Sequence, residues 1–325
     1  MKKKILMVFL AGVLTLSAVG CGSKKEDAKT TAESNVLQEE TDTNVFDEVE
    51  EEAKEEEKAE VENTEEEKTD VEDAMAAALE NMKSVTNMEA VMLMEMDMNM
   101  SADGESQSLE SVTSMETVFF SDPRKIKVEI NVDMGEAGSA QQSLYGEVAE
   151  DGTATMYVFD GATWQSQVVG TADLEQYDAS DSMISFIDDG AVYTLDGMES
   201  VDGANAYKYS SVISGEEAKQ EILSAGALDS FSSLGLTANQ LEGMLDDVGE
   251  ITEYVWIDEA TLYPVKYESD MTAVMDTLMS KVVESMGEQA QGLSIGISKM
   301  KISMTCSNFN NATDFTIPEE AKAAN

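Results

Sequence analysis

The sequence contains no histidine. That removes Ser-His-Asp and Cys-His catalysis, together with histidine-bound zinc. Cysteine is nearly as scarce, with two in 325 residues, Cys21 and Cys306. Basic residues are few: 20 Lys and Arg stand against 66 Asp and Glu, for a net charge of −46. Such a chain is unsuited to nucleic acid, and to docking on anionic headgroups through a basic patch. Its one long apolar run, residues 5–19, falls short of the roughly 20 residues that a spanning helix needs. No internal repeat is evident.

What is present begins with an address. Three lysines, the apolar run and a small-residue stretch before Cys21 have the layout of a secretory signal peptide, residues 1–20. The tetrad Ala18-Val19-Gly20-Cys21 resembles the lipobox of bacterial lipoproteins, with alanine where leucine is more usual. That resemblance implies cleavage before Cys21, diacylglycerol on its thiol and acylation such as palmitate. The site is then the outer face of the cytoplasmic membrane. The alternative is an ordinary secretory signal with an incidental cysteine. Two acyl chains, at about 0.8 kcal/mol per buried CH2, make a lasting anchor where one is marginal. With Cys21 acylated, Cys306 has no disulfide partner. It lies in phase with Ile302 and Met304, which reads as a small buried hydrophobe rather than a nucleophile.

Residues 21–72 read as the lipidated cysteine and an acidic tether. From Gly22 to Glu72, 21 acidic residues outnumber 6 basic ones. So little apolar surface cannot offset the entropy of ordering, which predicts disorder. As an ideal coil the segment would span about 40 Å, and charge repulsion would extend it. A single acidic helix is the alternative for "EEEAKEEEKAEVENTEEEKT", although its Glu–Lys pairs contribute only tenths of a kcal/mol each.

Residues 73–325 are apolar enough, and long enough, for one domain. Helical spacing of Met75, Ala78, Leu79, Met82 and Val85 predicts a helix over 71–85. Residues 125–134 alternate as a strand behind a turn at Asp122-Pro123. Hairpins are expected around Asp160-Gly161 and Asp202-Gly203. Helices are expected at 214–226, 237–249 and 273–290, with strands on either side of Asp258-Glu259 and a last strand at 297–309. Apolar parity changes between Ile297 and Met300, which predicts a bulge. Hairpin-linked alternating strands with interspersed helices give an α+β domain, a curved antiparallel sheet with helices against its concave side.

The opening "AMAAALENMKSV", then "MYVFDGATWQS", "YVWIDEATLYPVKYE" and the ending "FNNATDFTIPEEAKAA" resemble a family of Gram-positive lipoproteins of unknown function. That family is similar in fold to LolA/LppX-like lipoprotein and lipid carriers. The resemblance covers roughly residues 73–322 and implies an incomplete barrel wrapped around helices and enclosing an apolar cavity. The expected insertion at 214–247 and the richness in methionine depart from a simple carrier.

Local motifs carry little chemistry. "GLSIG" spells Gly-x-Ser-x-Gly around Ser294, but a nucleophile elbow needs a strand-to-helix turn and a histidine. "SKMK" places Ser298 and Lys301 in a strand, on opposite faces. Residues 173–182 and Asp188-Asp189 lack the spacing of a calcium loop and read as a solvated acidic loop. Trp164, Tyr157, Trp256 and Tyr267 read as sheet packing, with a ligand shelf as the alternative. No cofactor and no metal site is expected.

The most unusual stretch is "VMLMEMDMNM", which puts Met92, Met94, Met96, Met98 and Met100 on one face of a strand, about 6.6 Å apart. Bound Cu(I) is one reading, since that soft ion takes thioethers, but sulfurs would have to converge from several elements. Core packing beneath helices is a second. The lining of a cavity for a lipid or other apolar ligand is a third, because methionine adapts to guests of varied shape. Met275, Met279 and Met286 recur on one helix stripe and could face the same space. The functional expectation is a non-enzymatic, membrane-anchored binding or carrier module. Its alternative is a structural or sensory cell-envelope protein with a fully packed core.

Overall fold

The structure is a computed structural model that describes residues 57–102, 104–187, 191–224, 238–290 and 292–324. The signal peptide, Cys21 and the first part of the expected tether lie outside the described residues. The described residues open with helix α1 (Glu57–Lys83), followed by six strands: β1 (Asn87–Ala102), β2 (Glu105–Ser121), β3 (Arg124–Asp133), β4 (Ser139–Val148), β5 (Ala154–Phe159) and β6 (Trp164–Val169). Two short helices, α2 (Thr171–Glu175) and α3 (Ala179–Ile187), lead to β7 (Thr194–Val201) and β8 (Ala204–Ser214). Helices α4 (Gly215–Ser224) and α5 (Ala238–Met244) precede β9 (Glu250–Asp258) and β10 (Pro264–Asp270). Helix α6 (Thr272–Ser285), strand β11 (Leu293–Ser307) and a terminal turn of helix, α7 (Glu319–Lys322), complete the order.

All eleven strands form one antiparallel sheet, in the order β6-β5-β4-β3-β2-β1-β11-β10-β9-β8-β7. The chain enters at the middle and meanders out to β6. It crosses by α2 and α3 to the far edge at β7, then meanders back until β11 slots between β10 and β1. The described strands β6 and β7 do not pair with each other, so the sheet is open.

Side-chain alternation gives the sheet two different faces. On β1 the even residues Met88, Ala90, Met92, Met94 and Met98 are buried, while Glu89, Glu95, Asp97 and Asn99 lie on the other side. Helices α1, α3 and α6 cover the buried face. Helix α3 packs on β1, β2 and β10, α1 reaches β10 and β7, and α6 lies on β11 and β9. Their apolar stripes (Met75, Ala78 and Met82 of α1; Met183 and Phe186 of α3; Met275, Leu278 and Met279 of α6) join the strands in one continuous core.

The expected bulge is present. Asp97 pairs with Lys299 and Met98 with Ile297, so Ser298 is the extra residue on β11. The hairpins at Asp160-Gly161 and Asp202-Gly203 and the turn at Asp122-Pro123 also connect strands as expected. Three readings need correction. Helix α1 includes residues 57–72, so the acidic-helix alternative applies to that part of the tether. Residues 173–182 are no solvated loop: they lie in and between α2 and α3, and Asp178 is buried. Met286 follows the last residue of α6 and is 44% exposed, so the stripe stops at Met279 and Val282.

The last residues were legible as chain but not as structure. From Asn308 to Ala324 the chain straps across the outer face of the sheet. Thr313 N donates to Glu89 Oε1 at 2.9 Å, and Asn308 Nδ2 donates to Glu89 Oε2 at 2.7 Å. Lys125 pairs with Asp314, and Phe315 packs on Phe120 and Tyr145. Ile317 and Ala321 form a small second core with Tyr157. Ser166 Oγ of β6 donates to Ala324 O at 2.8 Å. The strap thus ties the central β1 to the edge strand β6.

Candidate functional site on the methionine face

Pairing registers resolve the inner face into rows that cross the middle of the sheet. One row runs Met115, Met92, Met304, Tyr267 and Val255 through β2, β1, β11, β10 and β9. The next runs Thr113, Met94, Ile302, Ser269 and Glu253. A third brings Ser111, Met96 and Met300 together. Methionine therefore occupies the centre of the face, and polar groups flank it: Ser111, Thr113 and Thr117 on β2, Ser269 and Glu253 on β10 and β9. All five flanking residues are buried.

Of the methionines singled out from the sequence, Met92, Met94 and Met98 are buried, and Met96 and Met100 are half-buried against the same core. Met275 and Met279 are buried on α6 and belong to that core too. Around Met92 the face is closely covered. Between β1, β2, β11 and α3 lies a cavity of about 10 Å³, walled by Met92, Met115, Met304, Thr117, Tyr177 and Ser182 among others. That is about the space of one water molecule. Met183 of α3 is fully buried, and Phe186 stacks on Tyr267 with ring centroids 4.4 Å apart.

The polar flank is held by specific bonds. Tyr267 Oη donates to Glu253 Oε1 at 2.5 Å. Burial, and then the Glu253 carboxylate beside it, push the Tyr267 phenol well above its ordinary range, so it stays a donor. At the start of α3, Asp178 Oδ1 accepts from Ser180 N at 3.0 Å and from Ser180 Oγ at 2.6 Å. It acts as the helix cap. Burial raises its carboxyl above the usual range against those bonds. Thr113 Oγ1 is different: it is buried and has no hydrogen-bond partner among the described residues.

Other singled-out residues take structural places. Ser294 lies within β11 opposite Ser101, in a strand rather than at an elbow. Cys306 sits on the inner face beside Ala90, 2% exposed, and burial drives its thiol far above the ordinary range. Trp256 packs on the outer face, where its indole N–H donates to Glu199 at 2.9 Å and Lys266 lies 4.2 Å over its ring. Asp188 and Asp189 lie outside the described residues. Among the described residues, no three acidic or cysteine groups are placed to hold a metal ion, and no helix is long and apolar enough to cross a membrane.

A second, open feature lies at the ends of β8 to β11. It is a groove of about 310 Å³ with Val201, Ala204, Val265, Tyr263 and Phe309 in its walls. Tyr263 and Phe309 stack at 4.3 Å, with their rings 5° from parallel. Asp258 at its edge is committed to the β9–β10 turn, where it accepts from Thr261 N at 2.7 Å and Thr261 Oγ1 at 2.6 Å.

The sequence pointed to the methionines but not to their polar flank. Its signal was there to read. Ser111 and Thr113 are in phase with Met115, and Glu253 is in phase with Ile251, Val255 and Ile257, so each belongs to a buried face.

No protein-family model matches the chain, and no curated protein does. Among solved structures the chain is similar to LprF from Mycobacterium bovis, at 13% identity over 78% of this chain and 98% of that one, with a TM-score of 0.39. It is similar to the Mycobacterium tuberculosis lipoprotein LppX at 12% identity over 74% of this chain and 95% of that one, with a TM-score of 0.34. It is similar to a LolA superfamily protein from Nitrosomonas europaea at 10% identity over 77% and 95%, with a TM-score of 0.19.

Proposed function

We propose that the chain is a lipoprotein of the outer face of the cytoplasmic membrane, anchored through Cys21. Its domain binds an apolar ligand, such as a lipid, and catalyses no reaction. The observation that carries this reading is the inner sheet face, where Met92, Met94, Met98, Met115, Met300 and Met304 form one buried surface beneath α1, α3 and α6. Methionine has three rotatable bonds and a polarizable sulfur, so such a surface repacks around a guest at small cost. Pockets for small molecules commonly hold about 300–1,000 Å³, far above the small cavity beside Met92. A guest seated beside Met92 would part α3 from β1 and β2, with the methionines changing rotamer to line the space that opens.

The closeness of the packing favours a second reading. With about 10 Å³ of void beside Met92, the face equally suits a structural or sensory envelope protein with a filled core. Native mass spectrometry of the protein purified from its membrane separates the two. A carrier retains added mass matching a lipid, beyond the covalent anchor. A protein that repeatedly carries none, and takes up none when lipid is supplied, belongs to the second reading.

A further inference from the structure

We infer that the guest of the methionine face is a lipid with an uncharged, hydrogen-bonding head, of the diacylglycerol class, and not a fatty acid or phospholipid. This rests on the binding reading above and narrows it. Among the described residues the buried polar ones are Ser111, Thr113, Thr117, Asp178, Ser180, Ser182, Ser211, Glu253, Asp258 and Ser269. Among the described residues neither lysine nor arginine is buried. The cations of the central strands lie on the outer face, where Lys299 pairs with Glu95, and Lys266 and Lys301 pair with Glu268. A buried carboxylate or phosphate would thus find no counter-charge among the described side chains inside, and would share the interior with the carboxyl groups of Glu253 and Asp178. An unpaired charge taken from water into such a site is strongly disfavoured.

A neutral ester or alcohol meets a different surface. Thr113 Oγ1 lies beside Met94 on the polar flank of the methionines, 4% exposed and without a hydrogen-bond partner among the described residues. A buried hydroxyl left without a partner weakens the protein that contains it. A guest carbonyl or hydroxyl at this position would give it one. Acyl chains would lie against Met92, Met94 and Met304, and the head would reach the hydroxyls of β2.

The test supplies the full-length protein, stripped of co-purified lipid, with dioleoylglycerol, oleate, dioleoylphosphatidylglycerol or squalene at neutral pH. Retained molecules are counted by native mass spectrometry. Dioleoylglycerol is expected to be retained, and the two anionic lipids are not. Retention of oleate or the phospholipid at the level of dioleoylglycerol overturns the inference while the binding reading stands. Retention of none of the four lipids removes both. The second arm uses Thr113→Val. Loss of an unpaired hydroxyl is expected to raise the thermal midpoint of the free protein and to weaken dioleoylglycerol by about fivefold to tenfold, the worth of one hydrogen bond. Squalene, which has no polar group, is expected to bind unchanged. Equal effects on both guests, or none on either, refute the role of Thr113.

Discussion

Gly146 of β4 lies directly beneath Leu174 of α2. A Cβ on Gly146 would stand 2.6 Å from Leu174 Cδ2 and 2.9 Å from Ile126 Cγ1. Leu174 and Ile126 are each 1% exposed, so either would have to shift within a buried interior. The close approach seats the first helix of the crossover that carries the chain from β6 to β7. Gly146→Ala is expected to cost about 1–3 kcal/mol by overpacking, read as a lowered midpoint in chemical denaturation. An unchanged midpoint would mean that α2 can lift from β4 without penalty.

Asp178 sets the start of α3, the helix that covers the methionines. Burial raises its carboxyl above the ordinary range. In the window between its unfolded and folded pKa values the folded protein holds the extra proton. Stability from this group is therefore present at low pH and declines as pH rises through that window. Asp178→Asn keeps an acceptor for Ser180 and cannot ionise, so its stability profile should lose that decline. Asp178→Ala removes the cap and is expected to cost about 0.5–2 kcal/mol. Urea titrations across acidic and neutral pH check both, and an Asn variant with the parent's pH profile would contradict the account.

The strap responds to pH in the opposite sense. The backbone N–H of Thr313, helped by Asn308, holds the Glu89 carboxyl below its usual range against the effect of burial. A depressed carboxylate stabilises above its unfolded pKa, and that contribution is lost as pH falls through the folded value. Below about pH 4, near the ordinary range of a glutamate, residues 308–324 should loosen from the outer face. Faster amide exchange at Thr313 and Phe315, while β1 and β11 stay protected, is the expected signature. Glu89→Gln should show the same loosening at neutral pH. Protection that is independent of pH would count against it.

The fold was legible where burial imposes a period. Two faces of unequal polarity wrote themselves into β1, β3 and β11, and even the bulge at Ser298 appeared as a change of parity. The strap was not legible, because Phe315, Ile317 and Ala321 have neither a strand's nor a helix's period and pack singly onto a sheet already formed. The strand order was also hidden. Nothing in β11 itself says that it pairs with β1, some 200 residues away in sequence, since pairing partners are chosen by the whole sheet. At the site, the methionine repeat drew notice by its composition. Thr113 and Glu253 did not, because a single polar residue in an apolar phase looks like an ordinary interruption.

The anchor has its own test. The four residues ending at Cys21 motivate the hypothesis that its thiol carries the lipid. Cys21→Ser is expected to leave the protein unprocessed, or to release it from the membrane fraction. Immunoblots of fractionated cells report both outcomes. A Cys21→Ser protein that is still cleaved and membrane-bound would show that something else holds it there.

Met94 is the sharpest probe of what the inner face does. It is 2% exposed and lies between Thr113 and Ile302, one row from the small cavity beside Met92. At this buried position the larger indole overpacks its neighbours, so Met94→Trp is expected to cost about 1–3 kcal/mol by strain. Met94→Ala should cost about 2–5 kcal/mol through the cavity it leaves. Stability alone therefore cannot separate a working surface from a filled core, since both variants weaken either one. Ligand uptake can. If the face opens to admit a guest, tryptophan occupies the space that the guest needs, and binding of an apolar fluorescent probe should fall. Alanine enlarges that space, so probe binding should hold or rise even as the fold weakens. Opposite effects on binding from two variants that are both destabilised would place the ligand against Met94. Parallel losses, or a parent protein that binds no probe, would leave the methionines as packing and favour the structural or sensory reading.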